Sequence, residues 1–341
     1  MNSLVSIIIP VKNGQKTIKK CLDSLEKLNY DNYEIIVIDD NSSDGTRQIL
    51  NSYSGIQVIK TLGIGPSGCR NLGIKLSKGE YLAFTDADCL VHPEWLNELH
   101  KGFELVETKN NPLTPFIKGE YELHKGFESV ETEACLVVGV GGDQQSPEDE
   151  TEFGKLVQAF LKTVGFVADY VKGYTPSRTS QTSQTNHNPT CNVMYRKEVF
   201  GKVGGFLEEL WPGEDVELDY RIKKTGKLMY NPRAIVYHYR PDKLWKFCKM
   251  MERYGYAQGF LVRKYGAFRL IHYEPVFLFI LFSSIISLLV YNLRLGIGCL
   301  VFCLLMPAIY FFIKAKSIRF IQLFVATIVN WNLGFVKGLI K

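Results

Sequence analysis

The sequence predicts an α/β fold, a doubly wound mixed sheet over residues 1–240 followed by C-terminal helices that cross or line a membrane. Three observations carry that reading. Short apolar runs alternate with amphipathic helical stretches through residues 1–90, as in a parallel sheet with helices on both faces. Polar and acidic residues gather in the turns after those runs, where open α/β sheets place their ligands. Near the C-terminus, two long uncharged stretches are separated only by Arg294.

In order along the chain, LVSIIIPV (Leu4–Val11) is the continuous apolar run of a strand covered on both faces. QKTIKKCLDSLEKL follows with Ile18, Cys21, Leu22 and Leu25 at helical spacing. YEIIVIDD is a second strand, closed by the turn-forming NSSDGT, whose Ser and Asp residues suit the cap of a helix over TRQILNSY. IQVIKT is a third strand, CRNLGIKLS a helix, and GEYLAFTDADC a fourth strand running into acids. Before that helix stands GIGPSG, Gly63–Gly68, with the G-x-G-x-x-G spacing of a dinucleotide loop. Such a fingerprint belongs to the first strand–helix turn, where this chain reads PVKNGQ with one glycine. GIGPSG comes two strands late, and Pro66 suits a turn better than a phosphate loop. An oxidoreductase is therefore set aside.

ELHKGFELVET (Glu98–Thr108) recurs as ELHKGFESVET (Glu122–Thr132), differing only at Leu105 and Ser129. Two copies cannot stack into a solenoid, so residues 98–132 read as a local tandem duplication inserted after a helix. ACLVVGVGG resumes the sheet, a helix covers FGKLVQAFLKTVGFVADYV, and SRTSQTSQTNHN (Ser177–Asn188) is a polar loop between Pro176 and Pro189.

Lys and Arg total 40 against 35 Asp and Glu, a surplus of five spread along the chain, which argues against a dedicated nucleic-acid binder. Eight cysteines form no C-x-x-C pair, so reduced thiols are expected. The N-terminus lacks the basic segment and cleavage site of a signal peptide. Pro275–Leu293 and Leu295–Ile313 are each close to the ~20 residues needed to span a bilayer. Phe320–Val336, carrying Gln322, Asn330 and Asn332, either crosses or lies in the interface. Cations cluster before the first span and after the second, with only Arg294 between. That bias makes a hairpin with the large N-terminal domain in the cytoplasm. Residues 241–274 mix Trp245, Phe247, Met251, Tyr254 and Phe260 with many cations, as in an amphipathic juxtamembrane segment. Residues 275–341 hold two to three transmembrane or interfacial helices.

Four clusters carry chemistry. Asp86 and Asp88 flank one alanine at the mouth of the fourth strand, and paired hard oxygen ligands suit a divalent ion that keeps positions for water and phosphate. Asp40 ends the second strand, where its carboxylate can accept from a nucleobase N–H or satisfy turn amides, with Asp39 supporting the turn. Glu214 and Asp215 follow WPG at a helix start, either as capping charge or as a general base. His238, at a strand end, could complete a metal site or simply pack.

In combination, VSIIIPVKNGQKTIKKCLDSL, EIIVIDDNSSDGT, GCRNLGIKLSKGEYLAFTDADC, RKEVFGKVGGF and GEDVELDYRIKKTGKLMYNPRAIVYH resemble the family 2 glycosyltransferases, over roughly residues 3–240. The resemblance implies the GT-A fold, with a Rossmann-like nucleotide-binding half. It implies that Pro10, Lys12 and Asp40 hold the base and ribose of a nucleotide-diphosphate sugar, and that Arg70 and Asp86 also face the donor. Asp88, Asp86 and His238 would hold Mg²⁺ or Mn²⁺. Asp215 would be the base, with Glu214 its partner in the acidic pair. The implied reaction is inverting transfer of a hexose to a hydroxyl of a lipid-linked or saccharide acceptor, at the cytoplasmic face of the cell membrane.

Three rival functions make different demands on the sequence. A processive polysaccharide synthase would carry Q-x-x-R-W before its channel helices, and none occurs here. A polyprenyl-phosphate monosaccharide synthase differs only in its product. A non-catalytic nucleotide-sugar-binding membrane protein predicts disabled acids, yet Asp86, Asp88 and Asp215 are all present.

Overall fold

The structure is a computed structural model that describes residues 3–109, 136–164, 182–315 and 318–340. It divides into two compact units, Met1–Glu150 with Val164–Tyr239, and Thr151–Thr163 with Arg240–Lys341.

In the first unit the strands are β1 (Val5–Val11), β2 (Tyr33–Asp39), β3 (Ile56–Lys60), β4 (Tyr81–Phe84), β5 (Cys89–Val91), β6 (Val137–Gln145), β7 (Ser183–Thr185), β8 (Val193–Arg196) and β9 (Lys227–His238). They form one sheet in the order β3-β2-β1-β4-β8-β6-β9-β5, with β7 on β9. β1 to β4 are mutually parallel in the 3-2-1-4 order of a doubly wound half. β8 runs antiparallel to β4 and β6, and β9 is parallel to β6, so the sheet is mixed as expected.

The helices here are α1 (Ile18–Leu25), α2 (Thr46–Leu50), α3 (Gly65–Leu76), α4 (Trp95–Lys109), α6 (Glu198–Val203) and α7 (Glu214–Ile222). The two-residue period of β1 explains why helices cover both faces. Val5, Ile7, Ile9 and Val11 pack with Ile18, Leu22 and Leu25 of α1 and with Trp95 and Leu96 of α4. Ile8, facing the other way, packs in the cluster that holds Phe84, Val199, Phe200 and Leu218.

Two sequence expectations shift. The helix expected over CRNLGIKLS begins at Gly65, so four of the six residues of GIGPSG form the first turn of α3, and Pro66 occupies the start of the helix where its missing N–H costs nothing. Of the polar loop expected over residues 177–188, residues 177–181 lie outside the described residues, and Ser183–Thr185 form β7, which pairs with β9. The first copy of the duplication continues α4 as far as Lys109, whereas the second copy lies outside the described residues.

In the second unit, α5 (Glu152–Val164, all but its last residue) and α8 (Leu244–Tyr265) accompany α9 (Glu274–Tyr291), α10 (Leu293–Ala315) and α11 (Ile318–Ile340). Among the described residues, Leu270–Tyr291 and Ile318–Ile340 are long and apolar enough to cross a membrane. α9 exposes Val276, Phe277, Phe279, Ile280, Phe282, Ile286 and Val290 and buries Ile285 on the remaining face. α11 instead buries Phe320, Leu323, Thr327, Trp331, Gly334 and Gly338 on one face. The Asn330 and Asn332 side chains donate to the carbonyls of Ala326 and Ile328 within the helix, and Asn332 also donates to Glu274 at 3.3 Å.

That buried face meets α8 through two G-x-x-x-G pairs. A methyl on Gly255 would lie 1.9 Å from the Trp331 carbonyl oxygen, and one on Gly334 would lie 1.9 Å from that of Glu252. Gly259 and Gly338 repeat the contact one turn on, against Phe335 and Tyr256, so the two helices run parallel. Close backbone approach of this kind depends on absent side chains. Gly255→Val is expected to destabilise this unit by about 1–3 kcal/mol or more, read as an earlier unfolding transition of detergent-solubilised protein. An unchanged melt would mean that α8 and α11 are not in backbone contact.

Candidate active site

The carboxyl ends of the parallel strands bring the sequence-predicted residues to one edge of the sheet. Pro10 lies in β1 opposite Ile38, Lys12 follows β1, and Asp40 follows β2. Asp86 and Asp88 occupy the turn between β4 and β5, and His238 closes β9. Glu214 and Asp215 open α7 (Glu214–Ile222), after Gly213 at φ +97°.

Asp40 explains what GIGPSG does. Its Oδ1 accepts from the Thr61 hydroxyl at 2.6 Å and the Ile64 N–H at 2.7 Å, and its Oδ2 accepts from the Gly65 N–H at 3.1 Å. Lys12 Nζ stands 3.8 Å from Oδ2. Gly63 and Gly65 have φ of +97° and +77°, which lets the backbone curl around the carboxylate. The amides a phosphate loop would offer are thus taken. Burial works to raise the Asp40 carboxyl, but these hydrogen bonds and Lys12 outweigh it and hold it below its usual value. A depressed carboxylate contributes stability that is present above the unfolded value of about 4 and lost as pH falls through the lower folded value. Amide exchange at Ile64 and Gly65, relative to the core of β1, is therefore expected to accelerate only below about pH 4. Acceleration already at neutral pH would contradict this cage. Asp39 supports the same turn, accepting from the Ser42 N–H at 3.0 Å and from Arg47 at 3.3 Å.

Arg70, on the inner face of α3, is 2% exposed and joins two of the acidic motifs. Its Nη2 donates to Asp86 Oδ1 and its Nη1 to Glu214 Oε1, both at 2.7 Å, while the guanidinium lies over the Phe206 ring. Glu214 is equally buried. Burial pushes its carboxyl up, against the pull of Arg70, with the neighbouring Asp215 charge adding to the rise. Asp215 is the more open of the acidic pair, its side chain 18% exposed.

His187 and Asp219 escaped the sequence reading. His187 Nδ1 lies 2.8 Å from Asp219 Oδ2, and its Nε2 lies 3.7 Å from Asp215 Oδ2. Asp219 is fully buried and also accepts from the Asn188 N–H at 2.7 Å and the Tyr195 hydroxyl at 2.6 Å. Burial still raises its carboxyl above the ordinary value. One signal was legible: Asp219 stands one helical turn after Asp215, on the same face. His187 sat in a polar loop with nothing to single it out.

His238 Nε2 lies 3.5 Å from Asp88 Oδ1, and its Nδ1 lies 3.5 Å from Gln144 Oε1. The Asp88 side chain is 48% exposed, and Asp86 engages Arg70 through one oxygen only. Asp88 and His238 thus stand side by side at an open edge, and carboxylate oxygens there are of the ligand type that Mg²⁺ or Mn²⁺ takes.

Parts of the chain are similar to known glycosyltransferases. Residues 6–107 match the family described as Glycosyl transferase family 2. Glycosyltransferase AglE of Haloferax volcanii is 40% identical over 230 residues, 65% of this chain and 62% of that protein, so the chain spans under two thirds of that relative. A dolichyl N-acetyl-alpha-D-glucosaminyl phosphate 3-beta-D-2,3-diacetamido-2,3-dideoxy-beta-D-glucuronosyltransferase of Methanococcus voltae is 26% identical, with 99% of this chain and 98% of that one aligned. Among solved structures, the mannosyltransferase PcManGT of Pyrobaculum calidifontis, in complex with GDP-Man and Mn²⁺, superposes with a TM-score of 0.57. That match has 14% identity and covers 99% of this chain and 88% of that one. With the parallel half-sheet of β1 to β4, but for Val5, lying within the matched segment, residues 6–107 carry a glycosyltransferase family 2 domain.

Proposed function

We propose that the chain is an inverting glycosyltransferase, assisted by a divalent cation. It would move a sugar from a nucleotide-diphosphate donor to a hydroxyl of a lipid-linked glycan precursor at the cytoplasmic membrane face. The observation that carries this reading is Arg70, whose two 2.7 Å bonds hold the Asp86 turn and the Glu214-Asp215 helix start together at the ligand edge of the sheet. The lipid-linked acceptor is supported by the names of two relatives. One is the dolichyl phosphate enzyme above. The other is an Escherichia coli UDP-Glc:alpha-D-GlcNAc-diphosphoundecaprenol beta-1,3-glucosyltransferase, 35% identical over 123 residues that cover 35% of this chain and 46% of that protein.

In this reading Pro10, Lys12 and Asp40 receive the base and ribose of the donor. Asp88, His238 and the free oxygen of Asp86 hold the cation, which when bound neutralises charge gathering on the diphosphate. Arg70 fixes Asp86 and Glu214, leaving Asp215 the open carboxylate. Asp215 takes the acceptor's proton as the acceptor oxygen bonds to C1 of the sugar. The bond from C1 to the diphosphate breaks on the opposite side, inverting the anomeric centre. His187, braced by Asp219, sets the orientation of Asp215.

For the membrane, residues 275–315 form the anchoring hairpin, and residues 1–240 the transferase domain. α8 carries Lys246, Lys249, Arg253, Arg263 and Lys264 and cannot cross a bilayer. α11 runs parallel against it through the glycine contacts, so the two lie together in the interface.

The test is thermal stabilisation of the detergent-solubilised full chain by UDP, GDP and their sugars, with and without Mn²⁺, followed by transfer of labelled sugar to lipid extracts. A cation-dependent shift with one nucleotide and label in an extended lipid-linked saccharide are expected. A single sugar placed directly on polyprenyl phosphate would make the chain a polyprenyl-phosphate monosaccharide synthase. No shift with any nucleotide sugar, and no transfer, would overturn the proposal.

A further inference from the structure

Behind the Asp86-Asp88 turn lies a second group of ligand-type side chains, of which the proposed sugar transfer uses only His238. Cys89 opens β5 and stands directly opposite His238 in the antiparallel pair with β9. Cys191 leads into β8, its carbonyl fixed by the Thr85 hydroxyl at 3.1 Å. The two sulfurs and one His238 ring nitrogen lie within 4.8 Å of one another. Both cysteines are buried, and they pair with no other cysteine. Tetrahedral zinc with Zn–S of about 2.3 Å sets sulfurs about 3.8 Å apart, so closing this triangle on an ion requires shifts of an ångström or less.

The chemistry of the set differs from that of the neighbouring edge. Asp86 and Asp88 offer hard oxygens to Mg²⁺ or Mn²⁺, whereas two thiolates and an imidazole select a soft or borderline ion such as Zn²⁺. We infer that Cys89, Cys191 and His238 form a thiolate site for Zn²⁺, separate from the hard-cation edge but sharing His238 with it. On binding, both thiols release their protons to solvent, and the fourth position is open to water or to Asp88, whose Oδ1 is 3.9 Å from Cys89 Sγ. Because His238 leans toward Asp88 at 3.5 Å, drawing it toward the sulfurs removes the imidazole from the oxygen site. Zinc occupancy then opposes Mn²⁺ occupancy.

The test needs no sugar substrate, so it stands or falls apart from the transferase assignment. The full chain, stripped with chelator and kept reduced by a phosphine, is titrated with Co²⁺ and separately with Zn²⁺ against a chromogenic chelator. The expected result is a near-ultraviolet thiolate-to-cobalt charge-transfer band that Zn²⁺ abolishes and Mg²⁺ does not. Cys89→Ala and Cys191→Ala should each weaken Zn²⁺ binding by more than roughly ten-fold, the loss that even an outer-shell change can cause. Cys299→Ala should leave it unchanged. Absence of the band in the wild-type chain overturns the proposal whatever the variants do. So does a band that survives in both variants, which would place the thiolates elsewhere. Circular dichroism separates lost binding from lost folding, and a folded variant with undiminished affinity also sinks the site.

Discussion

Arg70→Ala is expected to lower the melting temperature of the first unit by roughly 10 °C. The side chain is 3% exposed and holds Glu214, itself 4% exposed, at 2.7 Å, so alanine leaves a buried carboxylate without its counter-charge. Breaking such a pair from one side costs about 3–5 kcal/mol, and a domain of this size moves about 2–4 °C per kcal/mol. Asp86 adds less because its side chain is 29% exposed and water takes over part of the lost interaction. Arg70→Met combined with Glu214→Leu should recover much of the loss, since an apolar pair of similar volume replaces the buried charges together. Differential scanning calorimetry of the two variants checks this. A single-variant shift of only a degree or two would mean that the Arg70 bridge does not hold the acidic motifs in solution.

Asp215→Asn is expected to lower turnover by roughly 10²–10⁴-fold, the range for losing a general base, with nucleotide affinity unchanged. The amide keeps the volume and can retain the hydrogen bond that Oδ1 accepts from the Val216 N–H at 2.8 Å, so the helix start survives. His187→Gln should lower kcat by a smaller factor and leave KM alone, because His187 stands behind Asp215, 3.7 Å from its Oδ2. Its pH–rate profile should also shift relative to wild type, which a purely structural change would not do. Parallel measurement of donor binding and transfer distinguishes the outcomes. Loss of binding in Asp215→Asn would make Asp215 a structural residue and return the base to another group.

Legibility of the site followed a physical division. Asp86, Asp88, Glu214, Asp215 and His238 were readable because each stands beside an element boundary that the apolar pattern marks, and strand ends are where ligands meet such sheets. The role of GIGPSG was half readable. Its lateness in the chain spoke against a dinucleotide, but only the structure shows Asp40 taking the Ile64 and Gly65 amides, a contact across 24 and 25 residues. His187 was not readable at all, since its partners Asp215 and Asp219 lie 28 and 32 residues away on another element.

The sequence by itself determined the winding of β1 to β4, the apolar C-terminal helices and the identity of the acidic motifs. Local periodicity and turn chemistry encode these within a few residues. Tertiary structure alone decided that Arg70 joins two of the motifs, that Cys89 and Cys191 meet at His238, and that α11 lies backbone to backbone with α8. Those facts depend on which elements the sheet order and helix packing bring together, and that is a property of the whole chain's burial rather than of any stretch within it.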